Sequence, residues 1–427
     1  MKELIKHIPK TQTLFILSVI SFFCLTTQAQ ALTETPPPFN IKTISFKQSG
    51  KIIFPFIQLG DGFEFSFDDL YGNEEDYYFT LTHCNYDWSK SDLSRNEYLS
   101  GTDDQRIQDY QNSFNTLQTY SHYRLKFPNN FCQIIKSGNY LINIFNHNKE
   151  LVFSRKFILY EPLVDVPMQI KRSRNVADIQ EKQNVEFAIK SQNILFQNPN
   201  QNIKVALFQN GKWETAKYNI KPQYTVGNDL MYRYNNETQF WAGNEYLFYD
   251  NKDIKIPSNN IAKVDSNSGL YNTLLYTASA RKNKGYTFFP DVNGFFQPRN
   301  VFAQDNNDVE SDYTWVYFSL YSPETLPINE VYVTGLFNNY QLTEESKMDY
   351  NSKKGIFEKA IMVKQGFVNF NFTVRNAQKE IDEAHAVDGN YAMTENLYTL
   401  FVYYRANGER YDRVIGKGET NSTNITN

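Results

Sequence analysis

Cysteine is scarce in this 427-residue chain: three occur, and Cys24 lies in the N-terminal apolar stretch, leaving Cys84 and Cys132 for the body. Histidine is scarce too, at five, with no His-Glu-x-x-His or Cys-x-x-Cys pair to hold zinc. There is no Gly-x-Ser-x-Gly elbow and no phosphate-cradling glycine loop, so the usual hydrolase and nucleotide sites are excluded. Basic excess is also missing. With 43 Lys and Arg against 47 Asp and Glu, net charge is −4, which argues against nucleic acid as a partner. No apolar run after the N-terminus is long enough to span a bilayer, so no direct membrane insertion is expected.

Aromatic residues fill much of the space. They make up 16% of the chain, with 34 Phe and 30 Tyr, while long amphipathic helices are few. Such side chains suit a pleated, half-buried surface, and the reading is all-β. Lys2, Lys6 and Lys10 precede the apolar run Leu14 to Leu25, and small residues follow around Ala29 and Ala31, the pattern of a cleaved secretory signal. A retained anchor is the alternative, but the run is short for one. Phe22-Phe23 before Cys24 lack the small residues of a lipoprotein site. Export to an oxidising compartment permits a Cys84–Cys132 disulfide; two independent buried thiols are the other reading.

The chain divides by its punctuation. Residues 1–31 are the signal, and 32–40, with Pro36-Pro37-Pro38, an extended leader outside the first core. Strand patterns then recur from Ile41, as in Phe63, Phe65 and Phe67 on one face, up to a boundary at Glu161-Pro162. Within this first region Thr102-Asp103-Asp104-Gln105 resembles a capping box, and Ile107, Tyr110 and Phe114 follow at helical spacing, which predicts a short helix, with an ordered loop as alternative. A middle β domain covers 162–324. Its strand Tyr313 to Leu320 is apolar on both faces and is expected to be covered on both sides. A third domain covers 325–416, with the clean alternation Val368, Phe370, Phe372, Val374 and a closing hairpin around Asn407-Gly408. Residues 417–427 read as a disordered tail. Tandem antiparallel β-sandwiches with at most short helices are the expected architecture.

Three places tempt a chemical reading. His83-Cys84 with Asp87 nearby resembles a nucleophile pair, yet neighbours on a strand face opposite ways, so a structured turn is favoured. There Asn85 or Asp87 would bond backbone amides while Trp88 packs below. Asp305 to Asp312 could gather calcium but lacks the EF-hand glycine and terminal Glu, which favours a solvated linker loop. Glu64, Asp68 and Asp69 invite a glycosidase reading that acidic turn residues explain as well.

The string Thr82-His83-Cys84-Asn85-Tyr86-Asp87-Trp88 closely resembles a motif of the type IX secretion system plug protein family of Bacteroidetes-type bacteria. Ile107 to Thr116, Tyr120 to Tyr123, Ser137 to Tyr140 and Phe240 to Tyr246 are similar to the same family. The resemblance marks His83, Asn85, Asp87, Trp88, Tyr110, Asn115, Tyr123, Gly243, Asn244 and Glu245 as structural or partner-facing positions. It implies a non-enzymatic periplasmic protein on the inner side of the outer membrane, closing a giant translocon barrel at rest. That barrel is the implied partner, with no cofactor, metal or small-molecule substrate. A releasable cap would use Tyr and Asn more than Leu or Ile in its contact surface. Val331 to Val374 resembles early-set sandwich modules found beside glycan-handling enzymes, where Phe337 and Tyr340 would sit near a sugar-stacking loop. A periplasmic or surface carbohydrate-binding protein is therefore the alternative function, and secreted cargo of the same system a third.

Overall fold

The structure is a computed structural model that describes residues 30–266, 269–324, 329–423 and 425. The expected signal peptide falls outside the described residues except for its last two positions. Nearly all regular structure is strand; the α-helices described, Arg95–Tyr98, Pro199–Asn202 and Asn307–Glu310, have four residues each. Among the described residues no helix is long and apolar enough to cross a membrane, which says nothing of a β-barrel.

The strands build three sandwiches. In the first, the sheet ordered Lys51–Ile53, Ile41–Gln48, Phe63–Asp69, Ser121–Phe127, Asp109–Asn112 faces one ordered Phe56–Gln58, Leu151–Tyr160, Gly138–Phe145, Tyr78–Cys84, Gln105–Arg106. Alternation does the work: Phe63, Phe65 and Phe67 meet Phe153, Phe157 and Tyr140 in one core. The predicted helix after Thr102 is not there. Its residues form short edge strands, Gln105–Arg106 against Tyr78–Phe79 and Asp109–Asn112 against Ser121–Arg124. Unpaired sheet edges outcompeted a local helical pattern with few apolar anchors.

The second and third cores interleave in sequence, against the linear partition at 324/325. The hairpin Leu397–Tyr404 and Arg413–Asn421 pairs with Ile203–Gln209 in the second sandwich. There Tyr398, Leu400, Val402 and Ile415 complete the core begun by Val185, Phe187, Val205 and Leu207. The third core runs from Tyr249 to Val387. Its cause is Ile203–Gln209 itself: Val205 and Leu207 face one core while Ala206 and Phe208 face the first sandwich, so it needs full pairing. The expected disordered tail is correspondingly wrong for residues 417–421, which are strand. Tyr313–Tyr321 is covered on both sides only at its start, because Tyr317 and Tyr321 are exposed on its outer face. The leader is extended but fastened: Leu32 N donates to Trp88 O (2.9 Å) and Thr35 N to Ser154 Oγ (2.7 Å).

Candidate functional site

The turn after Tyr78–Cys84 is a joint between sandwiches. Asp87 Oδ1 accepts from Ser89 N (3.0 Å) and Ser89 Oγ (2.6 Å), closing an Asx turn that puts Trp88 at φ 64°. Trp88 is buried edge-on against Trp213 of the second unit, 5.3 Å between ring centroids. Asn85 Oδ1 accepts from Arg405 Nη2 (2.8 Å), and Tyr86 N donates to Asp412 Oδ2 (3.0 Å), both from the C-terminal hairpin. Tyr86 OH donates to Val205 O (2.8 Å) and receives Asn219 N (2.6 Å). His83 points the other way, into the first core among Tyr98, Tyr140 and Tyr411. Its Nδ1 meets Ser91 Oγ (2.8 Å) and its Nε2 meets Ser137 O (3.2 Å). Burial pushes its pKa down to about 4, so it stays neutral.

The other motif positions are scattered through the three units. Tyr123 is fully buried, stacked on Phe67, with its hydroxyl on Glu75 O (2.8 Å). Tyr110 donates to Glu74 Oε2 (2.9 Å) at a sheet edge, and Asn115 is an exposed loop residue at φ 55°. Gly243 takes φ 64°, and its N–H donates to Asn390 Oδ1 (2.9 Å). Asn244 donates to Asp388 O (2.8 Å). Glu245 is buried, accepting from Tyr286 OH (2.5 Å) and Glu395 N (3.1 Å), and burial raises its pKa to about 7. Gly243 and Asn244 border a cleft of about 100 Å³ between the second and third cores.

A second joint, between the first and third sandwiches, is a buried ion cluster that sequence reasoning missed. Lys364 Nζ donates to Asp68 Oδ2 (2.6 Å), Tyr313 OH donates to the same oxygen (2.5 Å), and His122 Nδ1 lies 2.6 Å from Asp68 Oδ1. Burial alone would raise the Asp68 pKa; Lys364 and His122 overcome it and hold it at about 2. Asp68 was legible only as an acidic turn residue or a member of a glycosidase-like acidic group, and the available clue was a charge closing the apolar run Ile361-Met362-Val363. The expected solvated loop at Asp305 to Asp312 belongs to this joint. Glu310 accepts the N–H groups of Gln304, Asp305 and Asn306 at 2.6–2.9 Å, Asp312 accepts those of Leu117 and Gln118, and Asp308 pairs with Lys47 (2.7 Å). These carboxylates serve backbone amides and a lysine, which orders the loop against the first sandwich.

Residues 41–161, the unit that holds the Asp87 turn, match the family model of the type 9 secretion system plug protein 1st domain. The chain belongs to the type IX secretion plug protein family. The match places this plug-family protein in envelope-associated secretion and associates it with a component of that system. It is also similar to a hypothetical protein from Parabacteroides merdae ATCC 43184 solved by crystallography, at 32% identity and TM-score 0.87. The alignment covers 92% of this chain and all of that one. No curated protein matches.

In the plug-family protein two readings left open by the sequence are decided. Cys84 and Cys132 are separate buried thiols, not a disulfide. Phe79 and Leu81 face the first core, so Cys84 belongs to the opposite face of its strand, while Cys132 lies within that core. Burial pushes the two thiols up to about 12 and about 11. Phe337 packs against the third core, and Tyr340 is buried, its hydroxyl 3.4 Å from that of Tyr246, so this pair presents no sugar-stacking platform. Among the described residues no group of three His, Cys, Asp or Glu could hold a metal ion.

Proposed function

We propose that this protein is the resting-state closure of the type IX translocon, seated at the periplasmic end of the giant outer-membrane barrel and acting by occupying space rather than by catalysis. The plug domain at residues 41–161 carries the reading. Its joints support it. A stopper must resist being deformed through a pore, and the first sandwich is fastened to the second by Asn85, Tyr86, Arg405 and Asp412 and to the third by Asp68, Lys364 and Tyr313. Its contact must also be releasable. The outer face of Tyr313–Tyr321 shows Tyr317 and Tyr321, with Tyr276 nearby, large amphipathic side chains suited to a transient interface.

Affinity purification of the tagged full chain from detergent-solubilised outer membranes should recover one very large barrel protein. Deletion should make the envelope leaky to small toxic compounds. Recovery of no barrel, together with an unchanged barrier, refutes the reading. A glycan array that lights up reproducibly would instead favour sugar binding.

A further inference from the structure

One inward-facing cation has no carboxylate in ion-pair contact among the described residues. In Leu151–Tyr160 the side chains of Phe153 and Phe157 enter the first core, and period two puts Arg155 on the same face. Arg155 is 5% exposed. Its Nη1 donates to Ser154 O (2.9 Å), and among the described residues no carboxylate lies within ion-pair distance. The nearest opposing charge is Glu34, whose field acts against the burial penalty on Arg155, but Lys156 N (2.7 Å), Asn339 Nδ2 (2.7 Å) and Gln341 Nε2 (3.2 Å) hold that carboxylate outside ion-pair contact with the guanidinium. Glu345, on the same wall, is held by Lys42 (2.7 Å). The Phe153 ring lies 5.7 Å from the guanidinium carbon, but a guanidinium keeps its charge, so burying it with no carboxylate in contact is costly.

Arg155 borders a cavity of about 350 Å³ at the open edge of the first sandwich, between the leader and the third unit. Ile44, Phe337, Ile361 and Met362 give it apolar walls. We propose that this cavity binds a carboxylate carried on an apolar body, with the Arg155 fork pairing the two carboxylate oxygens. The volume suits a phenylalkanoate or a pair of residue side chains. The source is either a free organic acid or an Asp or Glu beside an apolar residue on a partner's segment, and the test separates them. The inference does not depend on the closure reading, which stands or falls by co-purification.

Calorimetric titration of the full chain would use 4-phenylbutyrate, its neutral amide, and the capped dipeptide acetyl-Phe-Glu-amide. The acid should bind saturably, and the amide and the Arg155→Met variant should each show affinity at least about tenfold weaker. Tighter binding of the dipeptide points to a partner segment, and tighter binding of the free acid to a small metabolite. No saturable binding of either acid by about 10 mM, or equal binding by Arg155→Met, overturns the proposal. Thermal unfolding gives a second readout: the Tm of Arg155→Met should hold or rise. A fall beyond about 5 °C would make the guanidinium a structural support and overturn the site.

Discussion

Removing the Asp68 carboxylate is the sharpest test of how the sandwiches are joined. In Asp68→Ala the Lys364 ammonium, 2% exposed, loses its carboxylate at 2.6 Å and keeps the Asp308 carbonyl (2.5 Å) and the Tyr120 ring (4.2 Å), while Tyr313 falls back on Thr43 Oγ1 and His122 Nδ1 loses its carboxylate. Breaking one side of a buried pair costs about 3–5 kcal/mol, because the surviving charge stays buried. The carboxylate titration points the same way. A pKa depressed from 3.8 to about 2 corresponds to about 2 kcal/mol of preference for the charged form. The sign follows from the folded value lying lower: this stability is present above pH 3.8 and lost as pH falls toward 2. Lys364→Met should restore about half or more of the Asp68→Ala loss, since it removes the stranded charge. Urea unfolding followed by fluorescence suits the cycle, with Trp88 and Trp213 at the first joint and Trp315 in the third unit. Wild type should unfold in one transition with coincident probes. An Asp68→Ala cost below about 1 kcal/mol, or a double variant no better than the single, refutes the ion cluster as a structural joint.

Four further predictions rest on individual side chains. His83 has a folded pKa of about 4 against 6.5 unfolded, so its stability contribution is present above pH 6.5 and lost as pH falls. Denaturation should show about 2 kcal/mol less stability at pH 5 than at pH 7 from this residue, a slope that His83→Asn flattens. Glu245 has a raised pKa, so its charged form costs stability as pH rises through about 7. The loss spans pH 4.5 to about 7, so Glu245→Gln should gain on wild type by about 1–2 kcal/mol at pH 8 and not at pH 4, measured as Tm across pH. Tyr86→Phe forfeits the bonds to Val205 O and Asn219 N and should cost about 1–3 kcal/mol in urea unfolding, whereas reductant should leave the Tm unchanged because Cys84 and Cys132 are unbridged.

Period-two alternation is a local property, and it survives into three dimensions wherever one face of a strand meets a core. That is why the all-β class, the strand Gly366–Arg375 and the aromatic interior of the first sandwich were readable from residue order alone. The Asp87 turn was readable for the same reason, since its bonds to Ser89 span two residues. Pairing partners far apart in the chain carry no local mark. The hairpin Leu397–Tyr404 and Arg413–Asn421 lies almost 200 residues from the strand it completes, and only the doubly apolar Ile203–Gln209 hinted at a missing neighbour. Charged side chains mislead most. Asp68, Lys364, Glu310 and Asp312 look solvated in a sequence, and only the folded packing decides which carboxylates are withdrawn from water to hold two sandwiches together.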